Sequence, residues 1–311
     1  MTKNDVLSKL LQQQDGRHLG DLCGWSLSGT VRQEDAQKIA DACDLADDFD
    51  FPRVTPNSAY RRAVRQAVRG GKGDERRYDV AKIEESPSKI VHAVVRKDIV
   101  VGAGTQLTAR DAEFKTETKL GFDKDAYFAS EPAEKLFKTE DEHHPVSIAA
   151  RRIYEDLCVV YRAEDIRIAF QRAFVTWGAV RLLDHGGLWW VPSPYAAKVR
   201  AWSEFMRATN NTALILPVFD TEETIESLRQ VTMQSVDGQV ADLMEQLTKL
   251  SEKNNTRVST LEKRVEMFDD LRDKAEMYEK LLGHQMDELK VKLTAAQTSL
   301  VESLHAMKPA G

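Results

Sequence analysis

The sequence predicts an α+β protein: an antiparallel sheet with packed helices, followed by a long C-terminal helical hairpin or coiled coil. Two changes of period carry that expectation. From Tyr78 to Phe128 apolar and polar residues alternate, as in Ile90, His92 and Val94, which is the pattern of half-buried strands. Short turns between such runs imply antiparallel pairing. From Thr221 to Met307 apolar residues instead recur every three or four positions, and a helix that long cannot bury its stripe against itself.

Taken in order, Leu7, Leu10 and Leu11 space a short helix that stops near Asp15-Gly16. Trp25, Leu27 and Val31 alternate in a strand, and Gln33 to Leu45 is a helix with Ile39, Ala40, Cys43 and Leu45 inside. Thr55 caps the next helix, with Pro56 at the first position, where a missing N–H costs nothing. This helix runs from Pro56 to Arg69 and turns Tyr60, Val64, Ala67 and Val68 inward. Three or four strands follow, separated at Ser86-Pro87-Ser88, at Gly102-Ala103-Gly104 and at Gly121, with the second strand central. Residues 1–130 thus make an α+β domain and 131–145 a polar linker.

Residues 146–220 form a helix-helix-hairpin-helix module. Ile148, Ile153, Leu157, Val160 and Tyr161 mark its first helix; Ile166, Ala169, Phe170, Ala173, Phe174 and Trp177 mark the second. A hairpin turns around Asp184-His185-Gly186-Gly187. Tyr195, Val199, Trp202, Phe205 and Met206 line a third helix, and Ala213 to Phe219 is a buried strand. The order matches that of a winged helix, with Trp189 and Trp190 on the wing, but aromatic pairs in hairpins are more often core. The run Arg181-Leu182-Leu183-Asp184-His185-Gly186-Gly187-Leu188-Trp189-Trp190-Val191-Pro192 resembles an uncharacterised family of bacteria and phages in which a Gly-Gly-x-aromatic-aromatic-Val-Pro hairpin recurs. The resemblance spans Arg53 to Val236 and implies no activity.

In the tail, residues 221–307, Val236, Val240, Leu243, Leu247 and Leu250 step by four and three, a heptad seam. Beyond Asn254-Asn255 the stripe resumes with Leu261, Phe268, Leu282, Leu289, Leu293 and Leu300. A turn at the asparagines makes a helical hairpin; a continuous helix makes a rod. Leu243, Leu247, Leu250, Leu261, Phe268, Leu282, Leu289, Leu293 and Leu300 are the expected oligomerisation surface, meeting another copy or a helical partner. The competing arrangement folds this stripe back onto the chain's own globular part.

The net charge of −6 conceals a basic segment: Arg53 to Arg77 holds eight basic residues against Asp74 and Glu75. Arg61, Arg62, Arg65, Arg69, Lys72, Arg76 and Arg77 are candidates for gripping the phosphates of DNA or RNA; otherwise they form a solvated face or pair with the protein's own acidic helices. The glycines at 70, 71 and 73 lack the strand before them and the Gly-Lys-Ser/Thr ending of a phosphate loop. His143-His144 beside acidic residues has no metal-site spacing, and His92 and His185 pair with no nucleophile. No cofactor or metal is expected, and no enzymatic activity. Three scattered cysteines, Cys23, Cys43 and Cys158, suit a reducing cytoplasm, and no apolar run approaches the roughly 18 residues of a membrane span. The expected function is a non-enzymatic oligomeric assembly or adaptor protein, whose globular part binds a macromolecule; the alternative is a nucleic-acid-binding accessory protein using the basic segment.

Overall fold

The computed structural model describes residues 16–69, 77–99, 112–183, 187–251, 258–283 and seven residues between 290 and 298. The chain divides into two compact units: Met1–Ser28 with Ile39–Asp50 and Phe170–Gly311, and Gly29–Lys38 with Phe51–Ala169. The division falls at neither 130, 145 nor 220. It cuts through two helices, α1 (Gln33–Ala42) and α6 (Ala163–Thr176). The helix expected on Leu7, Leu10 and Leu11 lies outside the described residues.

In the Gly29–Lys38 and Phe51–Ala169 unit, four antiparallel strands run in the order β3 (Arg77–Glu85), β4 (Lys89–Ile99), β5 (Ala112–Asp123), β6 (Phe137–Thr139). A separate two-stranded pair joins β2 (Val31–Arg32) to β7 (Val160–Tyr161). Helix α2 (Pro56–Arg69) has the bounds expected of it, because Thr55 Oγ1 accepts from the Ser58 N–H at 3.2 Å and Pro56 occupies the first turn. It packs with α5 (Pro145–Val159) over one core: Tyr60, Val64, Ile90, Val94, Leu120, Phe122, Phe137 and Tyr154 are all buried.

Several expectations fail here for identifiable reasons. Gly121 lies inside β5, opposite Val91 on one side and Lys138 on the other. A Cβ there would stand 3.4 Å from the Lys138 Cβ, an ordinary contact, so the glycine occupies a paired strand position and makes no turn. Residues 131–145 are no linker. After the short helices α3 (Lys124–Phe128) and α4 (Ala133–Leu136), Phe137 enters the core against Tyr60 and Tyr154 while β6 pairs with β5. Polar residues of the segment are satisfied locally: Thr139 bonds Ser147 at 2.9 Å, and His144 Nδ1 caps α5 by accepting from the Val146 N–H at 3.2 Å. On α5 the inner face is Val146, Ala150, Tyr154 and Leu157, and Ile148 is 55% exposed. The tyrosine sets this face, because its hydroxyl donates to the Ala133 carbonyl at 2.8 Å.

The other unit holds a second antiparallel sheet, ordered β10 (Thr212–Phe219), β1 (His18–Ser26), β9 (Trp189–Pro192), β8 (Val180–Arg181). Strand β1 starts earlier than the pattern of Trp25, Leu27 and Val31 implied, and β10 is an edge strand with Leu214 half exposed, not a buried one. Successive strand residues point to opposite faces, so Trp189 and Trp190 look in opposite directions. Trp189 joins Trp25, Phe170, Phe174 and Trp202 in an aromatic layer built by α6 and α7 (Ala196–Ala208). Trp190 meets Tyr278 on the far face, with ring centroids 6.0 Å apart. Both tryptophans are buried, so neither forms an exposed wing.

That far face is covered by the tail. Helices α8 (Glu222–Ser251) and α9 (Val258–Leu282) share one cluster in which Val236, Val240, Leu243, Phe268, Leu271, Ala275, Tyr278, Leu282 and Leu293 pack with Leu19, Val180 and Trp190. Of the expected oligomerisation surface, Leu243, Phe268, Leu282 and Leu293 are therefore covered within the chain. The side chains of Leu247, Leu250, Leu261, Leu289 and Leu300 lie outside the described residues, as do Asn254 and Asn255. The stripe does not run on unbroken past 282. Gly283 takes a left-handed φ of 62°, its N–H donates to Glu279 O at 2.8 Å, and α9 stops. Arg229 and Arg17 then donate to the exposed carbonyls of Leu282 and Leu281, at 2.8 Å and 2.7 Å, where positive charge suits the helix end. Among the described residues, no helix is long and apolar enough to cross a membrane.

One backbone position ties the sheet to this cover. The register of β1 slips between His18 and Gly20, making Leu19 the extra residue of a bulge and placing it on the same side as Leu22. Gly20 has φ 152°, and a Cβ there would lie 2.2 Å from Val191 O and 2.6 Å from Trp190 Nε1. Gly20→Ala is expected to lower unfolding stability by about 3 kcal/mol, since the clash is with backbone and cannot be relieved by a rotamer change. Urea unfolding measures it; a loss under about 1 kcal/mol would contradict this packing.

Candidate nucleic-acid interface

The basic segment enters the structure through α2. Its inward residues Ala59, Tyr60, Ala63 and Val64 fix the helix rotation, and the arginines therefore leave from its flanks. They do not form one set. Arg62 makes a two-pronged ion pair with Asp165, at 2.9 Å and 3.1 Å, and Asp165 is 2% exposed. Asp165 Oδ2 also accepts from the Arg162 N–H at 3.0 Å, closing the first turn of α6, while Arg162 reaches Gln66 at 2.6 Å. Arg62 is a structural residue that neutralises a buried carboxylate, and it leaves the set of phosphate-contact candidates.

Arg61 points toward the edge of the sheet. Its Nε donates to Asn57 Oδ1 at 3.0 Å and its Nη2 pairs with Glu85 of β3. Lys82 Nζ donates to the other Glu85 oxygen at 2.7 Å, and Lys124 Nζ stands 4.0 Å from the carboxylate while donating to Ser86 O at 2.6 Å. Arg65 is exposed. Arg69 ends α2 and Arg77 begins β3, with their side chains outside the described residues; Lys72 and Arg76 lie wholly outside them. The described cations of the interface are thus Arg61, Arg65, Lys82 and Lys124.

Two titrating groups register this charge. Glu85 is held down to about 2 by the hydrogen bonds from Lys82 and then Arg61. His92 lies beneath the cluster on β4, its Nδ1 3.0 Å from the Tyr60 hydroxyl, which itself donates to Leu120 O at 2.7 Å. Burial pushes the His92 pKa down, and Arg61, Arg65 and Lys82 push it further, against Glu85 alone. The tyrosine hydroxyl is pushed up by burial.

This arrangement gathers Arg61, Lys82 and Lys124 around one carboxylate, that of Glu85. The thiols of Cys23, Cys43 and Cys158 are all raised by burial, which weakens them as nucleophiles. Among the described residues no three His, Cys, Asp or Glu side chains gather as a metal site. His144 is occupied as a helix cap and as a partner of Glu117 at 3.2 Å. Reading the sequence alone missed Lys82, Glu85 and Lys124, which no spacing connects to the arginine helix; it also missed Asp165 as the owner of Arg62.

Arg62→Ala is expected to cost about 2–3 kcal/mol of stability, because Asp165 would stay buried and charged, whereas Arg65→Ala should change it by under about 0.5 kcal/mol. Urea denaturation of the two variants separates the roles; equal costs would refute the division. For His92, the folded state resists protonation and the unfolded chain takes the proton at about pH 6.5, so stability should fall as pH drops from 7 to 5. His92→Gln should flatten that fall, and an unchanged pH profile would exclude His92 as its source.

No curated protein and no solved structure matches the chain at a significant level. A family model does match it, over residues 18–309, which includes both sheets, the arginine helix and the tail helices. The chain belongs to that family, the family of unknown function DUF6744.

Proposed function

We propose that the chain is a non-enzymatic nucleic-acid-binding protein that holds the phosphate backbone along the α2–β3 edge of its Gly29–Lys38 and Phe51–Ala169 unit. The observation that carries this reading is the convergence of Arg61 of α2 and Lys82 of β3 on the Glu85 carboxylate, with Arg65 exposed one turn further along α2; burial first, and then these three cations, lower the pKa of His92. Cations arranged this way grip phosphates and read no base edges, so binding is expected to be indifferent to sequence. Three free cysteines fit a reducing cytoplasm as its compartment.

Fluorescence anisotropy with labelled single-stranded DNA, duplex DNA and single-stranded RNA tests the reading. With about three phosphate contacts, log K should fall against log salt with a slope of about −3, and Arg65→Glu should weaken binding by about tenfold. No binding of any of the three at 50 mM salt would overturn it.

A second reading keeps assembly as the role of α8 and α9, acting as a helical hairpin that joins copies. Its support is apolar surface on these helices: Met233, Met244 and Met267 are each about 40% exposed. Deleting the tail would uncover Trp190 and Leu19, so the discriminating variant is Met233→Lys with Met244→Lys in the full chain. Light scattering should then report a smaller species than the parent; equal masses would refute this reading.

A further inference from the structure

Glu85 and Lys82 lie three residues apart on a strand, a spacing that ordinarily sends side chains to opposite faces. Here the β3–β4 register slips between Lys82 and Glu84: Lys82 is opposite His92, Glu84 opposite Val91 and Glu85 opposite Ile90. Ile83 is the extra residue and is pushed out, 52% exposed. His92 and Ile90 share a face, so Lys82 and Glu85 share it too, on the side where α2 brings Arg61. The bulge thereby turns the Glu85 carboxylate in among Lys82, Arg61 of α2 and Lys124 of α3, a compact group of cations that the protein fills with its own anion.

A carboxylate and a phosphodiester carry the same single negative charge and the same two-oxygen fork, and both match an arginine and a lysine held a few ångströms apart. We infer that the position held by Glu85 is a phosphate-binding position of the nucleic-acid site, and that a backbone phosphate displaces the Glu85 carboxylate when it binds. The inference rests on the nucleic-acid reading and adds to it Lys124 as a phosphate contact and Glu85 as an internal competitor. Displacement is feasible because Glu85 and Lys82 are partly open to water, with side-chain exposures of 35% and 51%, and the freed carboxylate at the end of β3 is rehydrated when it leaves. Asp165 holds Arg62 in no such exchangeable way, since its side chain is 3% exposed.

The test compares Glu85→Gln with Glu84→Gln in the full chain, using the same three labelled oligonucleotides. Both variants remove one negative charge, and Glu84 is a near neighbour whose partner is Lys89, at 3.1 Å. Glu85→Gln should bind about five- to tenfold more tightly than the parent at 50 mM salt, with a salt slope steeper by about one, and Glu84→Gln should gain no more than about twofold. In a Lys82→Gln background the gain from Glu85→Gln should shrink to the level of Glu84→Gln. Equal gains from the two glutamate variants would mean a general charge effect and overturn the inference while leaving the nucleic-acid reading intact. Parent binding with no gain from Glu85→Gln overturns it likewise. No binding by the parent or by any variant overturns both. Circular dichroism spectra matching the parent confirm that each variant is folded when it is titrated.

Discussion

The alternation of side chains across a strand governs both sheets, and in each a place where the alternation slips aims particular side chains. In β1 the extra residue is Leu19, and the slip lets Leu19 and Leu22 face the same cluster of tail residues. In β3 the extra residue is Ile83, and the slip lets Lys82 and Glu85 meet. Without the first, an apolar side chain would turn away from the helices that cover it. Without the second, the anion position would be divided between two faces of the sheet. Bulges are local insertions with large directional effects, which suits them to aiming side chains at a core or a site.

The sheet that contains β1 also decides what happens to the tail. A Trp-Trp pair on a strand must bury both faces of the sheet or leave one indole in water, and a buried aromatic side chain contributes roughly 1.5–3 kcal/mol relative to an exposed one. The layer of Phe170, Phe174 and Trp202 serves Trp189. Trp190 needs the other layer, and α8 and α9 supply it, with Tyr278 anchored by a 2.6 Å hydrogen bond to Gly178 O. The heptad-like seam therefore finds much of its partner within its own chain. Its apolar spacing is as compatible with covering a sheet as with meeting a second helix, because both need one continuous stripe.

Legibility in the sequence followed from whether a signal was local. Helix α2 declared its start through Thr55 and Pro56, and α6 declared its inner face through Phe170, Ala173, Phe174 and Trp177, all buried as the helical spacing requires. The hairpin of β8 and β9 was visible from its glycines. The rest was hidden where the decisive partner is distant. Strand β6 is three residues long in a polar segment and exists because β5 pairs with it. The seam residues Leu243, Phe268 and Leu282 looked unpartnered because nothing local reveals Trp190 and Leu19 opposite them. Gly283 is a local stop signal, a glycine that takes a left-handed φ, and the apolar spacing by itself runs straight through it. The candidate site divides the same way: Arg61 and Arg65 were readable as helical neighbours, but Lys82 and Glu85 meet only through a bulge, which no residue in the segment announces, and Lys124 arrives through the pairing of β5 with β4.

The two ion pairs made by neighbouring arginines show why charge spacing alone cannot assign a role. Arg61 and Arg62 are adjacent, equally basic and leave the same helix, yet their partners differ in exposure. Asp165 is almost fully buried and accepts an additional backbone hydrogen bond, so separating it from Arg62 strands a charge in a low-dielectric interior. Glu85 remains open to water, so its separation from Arg61 and Lys82 exchanges protein contacts for hydration and costs less than stranding Asp165. A ligand anion can compete only for the second kind of pair. The burial of the acidic partner, more than the number of arginines, therefore determines which cations of the basic segment are available to bind and which are committed to the fold.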